Sequence, residues 1–170
     1  MSRLLETIAK RLSDGGYRVE RSVQLQDTTT ADVTASRTYF SWKGLMILSQ
    51  HILIKEVESA DGSVFSSLFA AGFHFAKKRN RIPLLRGIQF GYMILPVIVT
   101  TNPQADLVGY ATTIPRRRWS LFEFPVVVNA NTGRADYFRG TPLWGAFLFA
   151  DMRAIVGKFI EHGLWLEAHP

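Results

Sequence analysis

The stretch "IQFGYMILPVIVTT", residues 88–101, carries no charge, and any fold of this chain must first find a place for it. The uncharged run around it extends from Gly87 to Ala105. Gln89, Pro96, Asn102 and Pro103 interrupt that run, and they are costly in a membrane span of about 20 residues. A buried strand with its exit turn accounts for it better. Pro96 cannot donate a ladder hydrogen bond, which predicts a bulge or a sheet edge at that point. A second apolar run, "LMILSQHILIKEV" (45–57), reads as another strand whose opening residues call for cover on both faces.

Strands of this kind need helices over them, and the periodicity supplies several. Leu4, Leu5, Ile8 and Leu12 recur at helical spacing over 3–14, with Ser2 as cap and Gly15-Gly16 as stop. Asp61-Gly62-Ser63 opens a second helix. Its stripe of Val64, Phe65, Leu68, Phe69, Gly72, Phe73 and Ala76, with Phe75 beside it, ends at Lys77-Lys78-Arg79-Asn80. Asn102-Pro103 starts a short helix over about 103–112. A last helix, about 151–162, turns Met152, Ile155, Val156, Phe159 and Ile160 inward.

Between the helices, "YRVERSVQLQ" alternates with a change of phase near Arg21-Ser22, the mark of a bulge or bend. "ADVTASRTYFSW" (31–42) is a second strand, and Trp42-Lys43-Gly44 turns the chain into the third. Strands at about 119–128 and 134–139 form a hairpin around Asn129–Gly133, which would set Glu123 across from Arg139. The fold class is therefore α+β: a mixed β-sheet of five to seven strands flanked by helices, in the order α-β-β-β-α-β-(α)-β-β-α. Residues 1–170 read as a single globular domain with a frayed tail at 164–170.

Charge is distributed unevenly. The net charge is +6, and between Gly62 and Phe122 eight basic residues face a single acid, Asp106. Such asymmetry points to an anionic partner, nucleic acid foremost. Lys77, Lys78 and Arg79 complement the helix dipole at about 0.3–1 kcal/mol each, but Arg81 and Arg86 lie beyond the helix and need another reason. Arg116, Arg117 and Arg118 follow Pro115, and their forks suit phosphate, while Trp119 could stack a base or a sugar. The stretch "TPLWGAFLFA" reads in the ordinary way as core, and in a sharper way as a surface offering Trp144, Phe147 and Phe149 for self-association as a homodimer.

Catalytic chemistry finds little support. The absence of cysteine removes disulfides, thiolate metal sites and Cys nucleophiles, and it fits a reducing cytoplasm. The opening segment is charged at Glu6, Lys10, Arg11 and Asp14, where a signal peptide is unbroken and apolar. His51, His74, His162 and His169 lack metal-ligand spacing, and His74 reads as a packed residue. Phosphate-loop, dinucleotide and nucleophile-elbow motifs are missing. The expectation is a binding or regulatory module in the cytoplasm, without enzymatic activity, cofactor, metal or membrane span.

The order helix, three strands, helix, strand over residues 3–100 resembles the core of the restriction-endonuclease-like fold, the PD-(D/E)XK nucleases. The resemblance implies an Asp on the second strand, here Asp27 or Asp32, and a carboxylate-x-Lys pair on the third, together holding a divalent metal. Ser49, Gln50 and His51 stand where that pair falls; Glu56 is followed by Val57 and Glu58, and Lys55 points to the opposite face. What the resemblance implies here is a degenerate nuclease-like domain.

Overall fold

In a computed structural model of the protein, which describes residues 2–26, 28–80, 89–115, 121–142 and 146–161, the two apolar runs are adjacent strands. In chain order the elements are α1 (Arg3–Asp14), β1 (Arg18–Gln26), β2 (Thr29–Ser41), β3 (Met46–Glu56), α2 (Ser63–Arg79) and β4 (Phe90–Thr100). They continue with α3 (Ala105–Thr112), β5 (Leu121–Glu123), β6 (Val126–Asn129), β7 (Ala135–Tyr137) and α4 (Ala146–Ile155), which runs on into a π-helical turn, Val156–Glu161. The strands form one mixed sheet ordered β1-β2-β3-β4-β6-β7, with β5 also on β4. β1, β2 and β3 are successively antiparallel, and β4 lies parallel to β3.

Every residue of β4 is buried, so both of its faces must be covered. Alternation along β3 and β4 sends Leu48, Ile52, Ile54, Met93, Leu95 and Val97 into one cluster with α1 and α4. Leu53, Ile94 and Ile98 go to the opposite cluster with α2 and α3. Helices on both faces make three layers. Ser2 caps α1 by accepting from the Leu5 amide at 3.4 Å, as its place in the sequence suggests.

The change of phase in β1 is a left-handed residue. Ser22 has φ 51°, and the flanking apolar residues divide between the faces: Tyr17 and Val19 pack on the α1 side, Val23 and Leu25 on the α2 side. Pro96 holds its place opposite Leu53 without a bulge in β4. The Phe124 amide donates to the Ile94 carbonyl at 3.0 Å, so Ile94 directs its peptide groups toward β5 and β6, and by alternation Pro96 does too. The missing N–H of Pro96 therefore faces the gap between those two short strands, where the ladder is already broken.

The expected 119–128/134–139 hairpin is only half right. β5 and β6 both run parallel to β4, and the antiparallel hairpin joins β6 to β7, with Gly133 at φ 69° in its turn. Glu123 is consequently not opposite Arg139, which instead reaches Glu161 at 3.4 Å. The last helix begins at Ala146, five residues earlier than its periodicity suggests.

α2 approaches the sheet most closely at Gly72. A methyl group there would collide with Leu53 and would come within 3.5 Å of Ile94. Gly72→Ala should therefore destabilise the protein by about 1–3 kcal/mol, the usual cost of overpacking a core. Urea denaturation would measure it; an unchanged midpoint would show that α2 can lift off the sheet freely.

Candidate functional site

α2 covers the sheet only as far as Asn80, whose side-chain amide donates to the Tyr92 hydroxyl at 3.0 Å. Beyond that point the α2 face of β2 and β3 turns polar: Ser36 and Thr38 on one strand lie beside Ser49 and His51 on the next. With Arg18 of β1 and Arg79 of α2 at its rim, this patch encloses a cavity of about 360 Å³, within the size range of small-molecule sites. Arg37 borders it only through the strand. By alternation its guanidinium lies on the opposite face, 4.6 Å from the Tyr17 ring and 5.0 Å from the Tyr39 ring.

The charges at the rim are unbalanced. Arg18 and Arg79 both pair with the same oxygen of Glu20, Arg18 at 3.2 Å. The hydrogen bond from Arg79 holds the Glu20 carboxyl below its ordinary pKa. One carboxylate thus serves two guanidinium groups, leaving an excess positive charge on an open, polar cavity. Arg79 also lies 4.2 Å from the Phe75 ring, which fixes the stem of its side chain.

His51 forms the floor. It is only 5% exposed, its Nε2 lies 2.9 Å from Ser49 Oγ, and its buried Nδ1 has no hydrogen-bond partner among the described residues. Burial, and secondarily the Arg79 charge, push its pKa down to about 4, so the ring is neutral at pH 7. Whichever ring nitrogen carries the proton, Nδ1 is a buried polar atom with no partner among the described residues, an arrangement that costs free energy until something supplies one. The Ser49–His51 pair has the spacing of a nucleophile and its base. A base with a pKa near 4 draws a serine proton weakly at neutral pH, and among the described residues nothing bonds to Nδ1 to orient the ring.

Of the basic residues singled out in the sequence, Lys77, Lys78 and Arg79 form the exposed last turn of α2, and Arg79 alone lines the cavity. Arg81, Arg86, Arg116, Arg117, Arg118 and Trp119 lie outside the described residues, as does Trp144. In sequence the first two precede β4 and the next four precede β5. Phe149 is fully buried between Phe124 and Phe138, belonging to the core rather than to a self-association surface, and Phe147 is half-buried against Gly44. His74, expected to be packed, is exposed on α2.

The residues named for the nuclease resemblance have other partners. Asp32 accepts from the Glu56 amide at 2.7 Å, Glu56 accepts from the Ser2 amide at 3.2 Å, and Asp27 lies outside the described residues. Gln50 is fully buried on the α1 side, bonded to the Tyr17 hydroxyl at 2.6 Å, whereas Ser49 and His51 face α2. Among the described residues no group of three or more His, Asp or Glu side chains is placed to hold a metal ion. Comparison with protein families, with curated proteins and with solved structures finds no match.

Arg18 and Glu20 escaped the sequence reading, which considers His51 only as a metal ligand and in the nuclease comparison. A signal was present: alternation puts Arg18 with Glu20, Ser36 with Thr38, and Ser49 with His51, each pair on one face of its strand.

The depressed pKa of His51 has a measurable consequence. A folded-state value near 4 against an unfolded value near 6.5 means that the unfolded chain binds the extra proton between those pH values. Stability from this group is full above pH 6.5 and is lost as pH falls toward 4, by a total on the order of 3 kcal/mol. His51→Gln should flatten the decline in urea stability across that window; an identical decline in both proteins would show that His51 is not held neutral.

Proposed function

We propose that this chain is a non-enzymatic binding module whose pocket between α2 and the β1–β3 face holds a phosphate-type anion. The supporting observation is the pair of guanidinium groups, Arg18 and Arg79, sharing the single carboxylate of Glu20 above a floor of hydroxyls and an unsatisfied His51. Exposed ion pairs contribute about 0–1 kcal/mol, so Arg79 can exchange Glu20 for a ligand oxygen at little cost. A guanidinium fork then grips two phosphate oxygens at once. The hydroxyls of Ser36 and Thr38 are further donors within the same cavity, where Ser49 is engaged with His51. Lys77 and Lys78 offset the unfavourable carbonyl end of the α2 dipole.

The polyanion expected from composition, nucleic acid, would meet the same groups. The sequence adds Arg81 and Arg86 before β4 and Arg116–Arg118 before β5 as further cations for such a partner. An anion near His51 also favours its protonated form, so binding and protonation reinforce each other.

Inorganic phosphate should raise the thermal midpoint of the protein in proportion to the logarithm of its concentration above Kd. Arg79→Ala should weaken binding roughly tenfold or more, the loss of a charged hydrogen bond of about 1.5–3 kcal/mol. Glu20→Gln should strengthen it several-fold by removing the competing carboxylate. Phosphate binding that is equal in all three proteins, or absent from all three, would remove this reading.

A further inference from the structure

Among the described residues four large hydrophobic side chains are exposed, and three of them lie within six positions at one turn. Phe40, Trp42 and Leu45 are 46%, 80% and 70% exposed at the junction of β2 and β3. Phe40 and Trp42 pack edge to face with ring centroids 4.8 Å apart. The turn is firmly braced from behind. The Gly44 amide donates to Ser41 Oγ at 3.3 Å, Lys43 pairs with Asp151 of α4 at 3.0 Å, and Phe147 packs on Gly44. Leu45 holds φ 48°, a left-handed conformation that bulky side chains rarely adopt and that Gly or Asn would take more easily. A strained, exposed leucine beside an exposed tryptophan gives nothing to this fold, and such strain gathers at functional positions.

The turn is continuous with the pocket. Ser36, Thr38 and Phe40 alternate onto the same face of β2, and each step of two residues covers about 6.5–7 Å. Trp42 follows at the tip. Lys77 and Lys78, exposed at the end of α2, belong to the same end of the sheet, because α2 finishes beside Tyr92 near the start of β4. An apolar tip and a cationic pocket at one end of the sheet match a phospholipid surface in chemistry, an acyl boundary for the one and anionic headgroups for the other.

We infer that the β2–β3 turn docks this chain on the surface of an anionic phospholipid bilayer, with Trp42 and Leu45 at the headgroup–acyl boundary and the pocket of Arg18 and Arg79 on a headgroup phosphate. The inference rests on the anion-binding reading of that pocket and names its partner. Lipid is favoured over single-stranded nucleic acid because base stacking would use Trp42 and Phe40 but leave Leu45 in water. It is favoured over a protein groove by the positive charge beside the tip, which an anionic leaflet complements over its whole surface. No described helix is long and apolar enough to cross a membrane, so the contact proposed is with the surface.

The test is co-sedimentation of the full chain with vesicles of phosphatidylcholine alone and of phosphatidylcholine mixed with phosphatidylserine. The mixed vesicles should bind the wild type. Trp42→Ala/Leu45→Ala, at exposed positions, should lower that binding at least tenfold while leaving the phosphate-induced thermal shift intact. Arg79→Ala should lower it several-fold on mixed vesicles only. Absence of vesicle binding with the phosphate shift preserved overturns this inference and leaves the pocket reading standing. Tip-dependent vesicle binding without a phosphate shift removes the pocket reading alone and keeps the turn as the docking element. Vesicle binding unaffected at the tip overturns docking by the turn. Tip-dependent binding of a single-stranded oligonucleotide, or a tip-dependent dimer in light scattering, without vesicle binding, also overturns it.

Discussion

The parallel pairing of β3 with β4 governs the architecture. Ten consecutive registers join them, from Ile47 opposite Phe90 to Glu56 opposite Val99, and β4 is buried along its whole length. A parallel pair needs a crossover connection, and α2 is that connection, packing Phe65, Leu68 and Phe69 on one face. The other face would remain wet without α1 and α4, which bring Leu5, Ile8, Phe149 and Met152 against Leu48, Ile52 and Leu95. Three layers follow from one pair of strands that cannot tolerate water on either side.

The same arrangement opens the pocket. α2 is 17 residues long, about 25 Å at 1.5 Å per residue, and it stops at Asn80 before reaching the end of β2 and β3. Under the helix the sheet presents Leu53, Ile94 and Ile98; past its end the sheet presents Ser36, Thr38, Ser49 and His51. Ser36 and Thr38 are stable there because water reaches them, the buried Ser49 and His51 bond to each other, and the rim charges gather there because Arg79 is the last residue of the helix. Glu20 anchors both arginines without neutralising both, since one carboxylate balances only one positive charge. The neutral state of His51 belongs to the same economy: a second cation buried beside Arg79 would be costly, so burial and that neighbour hold the proton off.

Much of the fold was legible because it depends on local periodicity. The α1 boundaries, the phase change at Ser22, the α2 stripe and the strand character of 90–100 all follow from side-chain spacing within one element. The lapses share a cause. The segment 119–128 was read as one arm of a hairpin because its turn signal at Asn129–Gly133 is strong. The turn is real, but the strand before it divides at Phe124-Pro125 and pairs with β4 in parallel. Partner choice between strands carries no local signature. The aromatic run 144–149 is compatible with core or with a self-association surface on composition alone, and Phe149 lies in the core because α4 lays it against Phe124 and Phe138.

The sequence by itself determined which residues had to be hidden, where the first two helices begin and stop, and that excess positive charge is concentrated in the middle of the chain. These are properties of neighbours along the polypeptide, set by backbone geometry and hydrophobicity. Only the tertiary structure decided that Arg79 would meet Glu20 from 59 positions away, that Arg18 would share that carboxylate, and that His51 would lie beneath them. Charge at a distance in sequence becomes a site only when sheet order and helix length bring it together, and those are fixed by packing across the whole core.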